Sequence, residues 1–103
     1  MNNKVYWSNI EYKHKDKGLA GGFVYAFLKA TDVREALIKL LIELNNQSLN
    51  TVEVEFISPY NEKMEWDTLE QTEHFLSLYQ ESKKSDNVIF DDFYAYETHL
   101  HVT

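Results

Sequence analysis

Carboxylates dominate the side chains of this chain that could do chemistry. Glu53 and Glu55 alternate along TVEVEFI (51–57), so an extended backbone sets both on one face, while Asp91 and Asp92 are adjacent in FDDFYAYE (90–97). Two carboxylates that approach can share a proton as an acid/base pair or bind a hard cation. Spacing alone does not bring these four together. With Tyr94, Tyr96, Tyr60 and Trp66 nearby in sequence, the same groups make an acidic surface with aromatic anchors, a composition suited to protein binding.

The histidines give weaker signals. His74 has Glu70 one turn before it and Ser77 one turn after it, a catalytic grouping in composition. The helical pattern puts them on the wet face with Glu73, where nothing excludes water, so no catalysis is expected there. His99 and His101 share one side of an extended segment, but two imidazoles alone make a weak metal site and read as a polar tail. The glycines at 18, 21 and 22 lead into a strand, not a helix, and so form no phosphate loop. Beside them Lys13, His14, Lys15 and Lys17 surround Asp16, which reads as a solvated hairpin tip. There is no cysteine, so disulfide and thiolate chemistry are excluded. The expectation is a non-enzymatic protein with no cofactor and no metal.

Charge is unevenly placed along the 103 residues, whose net charge is −7. Residues 1–50 hold five acids against seven bases, a balance of +2; residues 51–103 hold twelve acids against Lys63, Lys83 and Lys84, a balance of −9. Such a field disfavours nucleic acid and anionic lipid and speeds encounter with a cationic partner. No apolar stretch approaches a membrane span, and MNNKVYWSN lacks the apolar core of a signal peptide, so a cytoplasmic location is expected.

Positioning these groups falls to one continuous domain over residues 1–103, without repeats or linkers. KVYWSNIEY (4–12) and GFVYAFLKA (22–30) read as a hairpin, the second strand almost free of polar residues, as a central strand should be. Asp32 and Glu35 then form a capping pattern for a helix to about Asn46. Its core stripe is Val33, Ala36, Leu37, Leu40, Leu41 and Leu44; Ile38 and Ile42 lie one step off it and either widen the buried face, the favoured reading, or form a small apolar contact with another chain. In the strand at 51–57, Val52, Val54 and Phe56 point one way and Thr51, Glu53, Glu55 and Ile57 the other. A turn at Pro59-Tyr60-Asn61, with room for a short returning strand near 62–66, precedes a second helix. That helix starts near Asp67-Thr68 with Glu70 at the capping-box position, ends near Lys83-Lys84, and buries Leu69, Thr72, Phe75, Leu76 and Tyr79.

The last strand runs from Asn87 to about Glu97 and carries the two aspartates. Strict alternation would set Asp92 among aromatic residues. A bulge at Asp91-Asp92 would keep Val88, Phe90, Phe93 and Ala95 inward and turn both carboxylates, Tyr94 and Tyr96 to solvent, which avoids an unpaired buried charge. The predicted fold is α+β, a β-β-α-β-(β)-α-β arrangement, ferredoxin-like or related, with one sheet and both helices on one face. If the short strand forms, residues 22–97 have the split βαβ connectivity with the first strand at an edge; without it, the sheet is mixed and largely parallel after the hairpin.

The stretches GGFVYAFLKATDVREAL, VEVEFISPY and FDDFYAYE, in this order and joined by two amphipathic helices, look like small bacterial α+β domains. In size and acidity the chain resembles the immunity proteins encoded beside polymorphic or contact-dependent toxins. The resemblance is one of layout over nearly the whole chain and transfers no residue roles. It implies a stoichiometric inhibitor that covers a toxin's active site or an adjacent surface; were the toxin a nuclease, the acidic half would imitate the phosphate backbone. The contact surface expected from the residues themselves is Glu53, Glu55, Tyr60, Trp66, Glu70, Glu73, Asp91, Asp92, Tyr94 and Tyr96. A small regulatory or ligand-binding domain, monomeric or dimeric, is the alternative.

Overall fold

The computed structural model describes residues 3–16 and 20–95. Chain order is β1 (Lys4–His14), β2 (Gly22–Ala30), α1 (Val33–Asn46), β3 (Leu49–Pro59), α2 (Leu69–Lys83), and a last strand broken into β4 (Ile89–Phe90) and β5 (Tyr94–Ala95). The α+β class is as the sequence predicts, but the sheet is antiparallel at every pairing. Its order is β3-β1-β2, with β4 and β5 sharing the far side of β2. β1 is therefore interior, not an edge strand. No strand forms over residues 60–68; the chain turns instead at 61–64, where Asn61 accepts from the Met64 amide through its carbonyl and from the Lys63 amide through its side chain. The strand that ferredoxin-like connectivity required is thus missing, because Met64 and Trp66 turn into the core instead of pairing along the sheet.

The two helices lie on opposite faces of the sheet, which corrects the expectation that both cover one. Tyr6, Ile10, Tyr12, Val24, Ala26 and Leu28 pack with Ala36, Leu40 and Leu44 of α1. The alternate residues Val5, Trp7 and Phe27 pack with Phe75 of α2 and with Tyr60. Because β1 and β2 present bulky apolar side chains on both faces, each face needs a helix to remove it from water. On the α2 side the core is aromatic: Trp7 meets Tyr60 and Trp66 edge-on at 5.3 and 5.4 Å, and Trp66 stacks on Phe75 at 4.5 Å.

Local chemistry sets the helix ends. Asp32 accepts from the Glu35 amide at 2.8 Å, and the Glu35 carboxylate reaches back to the Thr31 amide at 2.9 Å. In α2 the cap is Thr68, accepting from the Gln71 amide at 3.1 Å, so Glu70 is one position short of the capping-box role. The α1 stripe is narrower than expected: Val33 and Leu41 are exposed, and so are Ile38 at 52% and Ile42 at 58%, which therefore do not widen the buried face. Leu69 is likewise exposed, since the first residue of α2 lies off the aromatic core.

β3 does not alternate cleanly. Its register against β1 shifts between Asn9 and Ile10 and again between Glu11 and Tyr12, leaving Glu55 and Val52 as extra residues. Phe56 therefore joins Trp7 on the α2 side, while Ile57 packs on the α1 side. At the opposite edge the bulge predicted at the aspartates is present. Phe90 pairs with Ala26 and Ala95 with Gly22, so Asp91, Asp92 and Phe93 oppose only Val24 and Tyr25.

Candidate functional site

The bulge keeps Val88 and Phe90 against the α1-side core, but Phe93, expected to face inward, stays exposed with one edge on Tyr12. Asp92 is exposed as expected, but Asp91 is not: its side chain is only 5% exposed. The face opposite Phe90 is covered by α2, so a residue turned away from one core enters the other layer. There the Asp91 amide donates to the Tyr25 carbonyl at 2.9 Å, which fixes the backbone. Asp91 Oδ1 accepts from the Asp92 amide at 2.8 Å and lies 2.9 Å from His74 Nε2. His74 is 51% exposed, so the pair joins a buried carboxylate to a half-open imidazole.

Around this pair lies an open depression of about 660 Å³, lined by Tyr25, Glu70, Glu73, His74, Phe75 and Asp91 among others. Its aromatic floor is continuous with the core, since Tyr25 meets Phe75 edge-on at 5.2 Å and stacks on Trp7 at 5.7 Å. Glu70 and Glu73 are exposed at the rim. Helical periodicity identified Glu70, Glu73 and His74 as neighbours; it gave no sign that the strand bulge places a carboxylate beneath the imidazole. Tyr25 and Phe75 were missed as site residues because each also reads as ordinary core.

A second acidic group stands elsewhere on the sheet. Glu53 pairs directly with Glu11 on β1, and ligand oxygens of Glu11, Glu53 and Glu55 lie within 4.8 Å of one another. Glu53 and Glu55 share one face two residues apart, and the pairing of Glu53 with Glu11 brings the third carboxylate beside them. β3 and β4 are at opposite edges, three strand spacings or about 14 Å apart, so Glu53 and Glu55 do not adjoin Asp91 and Asp92.

Comparison with family models, curated proteins and solved structures found no match to this chain. Geometry and chemistry alone carry the functional reading.

Of the remaining expected contact residues, Tyr60 is buried and packs edge-on to Phe27 at 5.3 Å, and Trp66 is half-buried against Phe75. Both consolidate the core, which leaves Tyr60 little surface to offer a partner. Tyr94 pairs with Phe23 through β5. Tyr96, His99, His101, Lys17 and Gly18 lie outside the described residues. Among the described helices none is long and apolar enough to cross a membrane.

Proposed function

We propose that this protein acts without catalysis, by stoichiometric binding of a basic protein partner through the α2 side of the sheet. The observation that carries the reading is how charge divides between the two helical layers. On α1, Arg34 and Lys39 balance Glu35 and Glu43. On the other side, α2 and the turn before it carry Glu62, Glu65, Asp67, Glu70, Glu73 and Glu81 against Lys63 and Lys83, and the Glu11–Glu53–Glu55 group adds to them. A predominantly acidic layer over a sheet steers a cationic surface toward one face of the molecule. Size, acidity and layout favour a cytoplasmic inhibitor of the bacterial immunity type; against a nuclease toxin, this layer would occupy the place of nucleic-acid phosphates.

The test is co-expression with the product of the adjacent gene and purification at low and high salt. A complex that weakens with salt and with Glu53→Lys, Glu55→Lys and Asp92→Lys is expected. A complex indifferent to both salt and charge reversal overturns the acidic contact surface.

A second reading, a small regulatory domain that dimerises, draws on the exposed Ile38, Leu41 and Ile42 of α1. It is tested by the mass in solution: a concentration-dependent dimer abolished by Ile38→Glu would establish it, and a monomer at all concentrations would remove it.

A further inference from the structure

We propose that the depression between α2 and the bulged last strand is a receptor for one cationic side chain, an arginine supplied by the partner. The inference deepens the preceding reading and rests on it for the identity of the donor as a protein. Three independent features converge on this chemistry.

The first is a buried acid whose hydrogen bonds gather on one oxygen. Asp91 has a side chain 5% exposed, yet its contacts with His74 and with the Asp92 amide both fall on Oδ1. Asp91 also lines the depression, so its second oxygen is within reach of a ligand there. A carboxylate oxygen at the wall of a cavity is most strongly satisfied by a charged donor. The second feature is the aromatic floor of Tyr25 and Phe75, whose rings meet at 72° and line the depression beside the carboxylate, where aromatic edges and faces favour a cation. The third is the rim, where the exposed Glu70 and Glu73 set a negative field at the entrance.

Phosphate, carboxylate and other anions are excluded by the same acids. Between the two cationic side chains, guanidinium fits better than ammonium. It is planar, stacks on aromatic faces, and has donors enough to reach Asp91 Oδ2 and a rim glutamate together. Its weaker hydration also makes transfer to a half-closed site less costly.

The experiment is an NMR titration of the full chain with N-acetyl-arginine amide, with the lysine and citrulline equivalents as controls. The expected result is saturable shifts at Tyr25, His74 and Asp91, with arginine about tenfold tighter than lysine and no saturable binding of neutral citrulline. Asp91→Asn should abolish the response. Should that variant lose its fold, Glu70→Gln with Glu73→Gln, both at exposed positions, should still weaken arginine severalfold. Equal binding of citrulline, equal binding of lysine, or shifts centred on Glu53 and Glu55 would overturn the proposal. Failure of the pocket is distinguishable from failure of the wider reading. A basic partner that binds salt-sensitively, with no saturable shift from the arginine probe, removes the pocket alone. Saturable arginine binding with no such partner leaves the pocket and removes the protein donor.

Discussion

His74 Nε2 and Asp91 Oδ1 are 2.9 Å apart across the gap between α2 and the last strand, an interaction spanning 17 positions of sequence. It ties the helix to the short, broken strand at the end of the described chain. Half of the imidazole is open to water, so solvent screening keeps the bond modest. A double-mutant cycle with His74→Ala and Asp91→Asn is expected to give a coupling of about 1 kcal/mol by urea denaturation. Strict additivity would show that the contact contributes nothing.

Phe75 is the buried anchor of α2, touching Trp66, Tyr25 and Phe27. Phe75→Ala is expected to cost about 3–5 kcal/mol, a large share of the stability of a domain this size. The change should shift the fluorescence of Trp7 and Trp66 before secondary structure is lost, because α2 loosens while the β1–β2 hairpin and α1 keep their own core. Circular dichroism and fluorescence melting together would reveal the opposite order if it held.

Ser48 joins α1 to β3 with φ of 62°, the left-handed region in which a Cβ is crowded. Ser48→Gly is expected to stabilise the protein by about 0.5–1 kcal/mol, read from the urea midpoint. A loss of stability would mean that the freedom gained by the unfolded chain outweighs the relieved strain.

Burial raises the Tyr12 phenol above its ordinary value, because the folded state disfavours the phenolate. The folded value lies above the unfolded one, so the contribution is complete below the unfolded value of about 10 and disappears as pH rises through the folded value. Stability should therefore fall on the alkaline side, and Tyr12→Phe should flatten that fall. Identical alkaline profiles for the two proteins would contradict it. Absorbance titration of the tyrosines should show one fewer late-titrating phenol in the variant.

Local signals were well placed in the sequence, and longer-range ones were not. β2 and α1 have the predicted bounds because a continuous apolar run and an Asp-x-x-Glu cap act within a few residues. The run GFVYAFLKA also carried the evidence for two covered faces. Alternation leaves no polar side on such a strand, so placing both helices on one face would have exposed Tyr25 and Phe27. The bulge at Asp91 was legible from the cost of burying a carboxylate, but the partner that offsets that cost, His74, belongs to a different element. Glu11 meets Glu53 and Glu55 through strand pairing, which the spacing of TVEVEFI does not encode. Tyr60 and Trp66 read as surface anchors because they sit in a polar loop; the aromatic core drew them in.

Among the described residues β3 has β1 on one side and no strand on the other, along an 11-residue length. A flat edge of that length would invite a strand from another molecule to continue the sheet, the first step of fibrous aggregation. The extra residues Val52 and Glu55 break the straight row of donors and acceptors, and the exposed Glu53 and Glu55 place like charges against like in any self-pairing. This irregular, charged edge is expected to oppose edge-to-edge pairing of copies at high concentration. A variant deleting Glu55 should therefore form fibrils sooner than the parent.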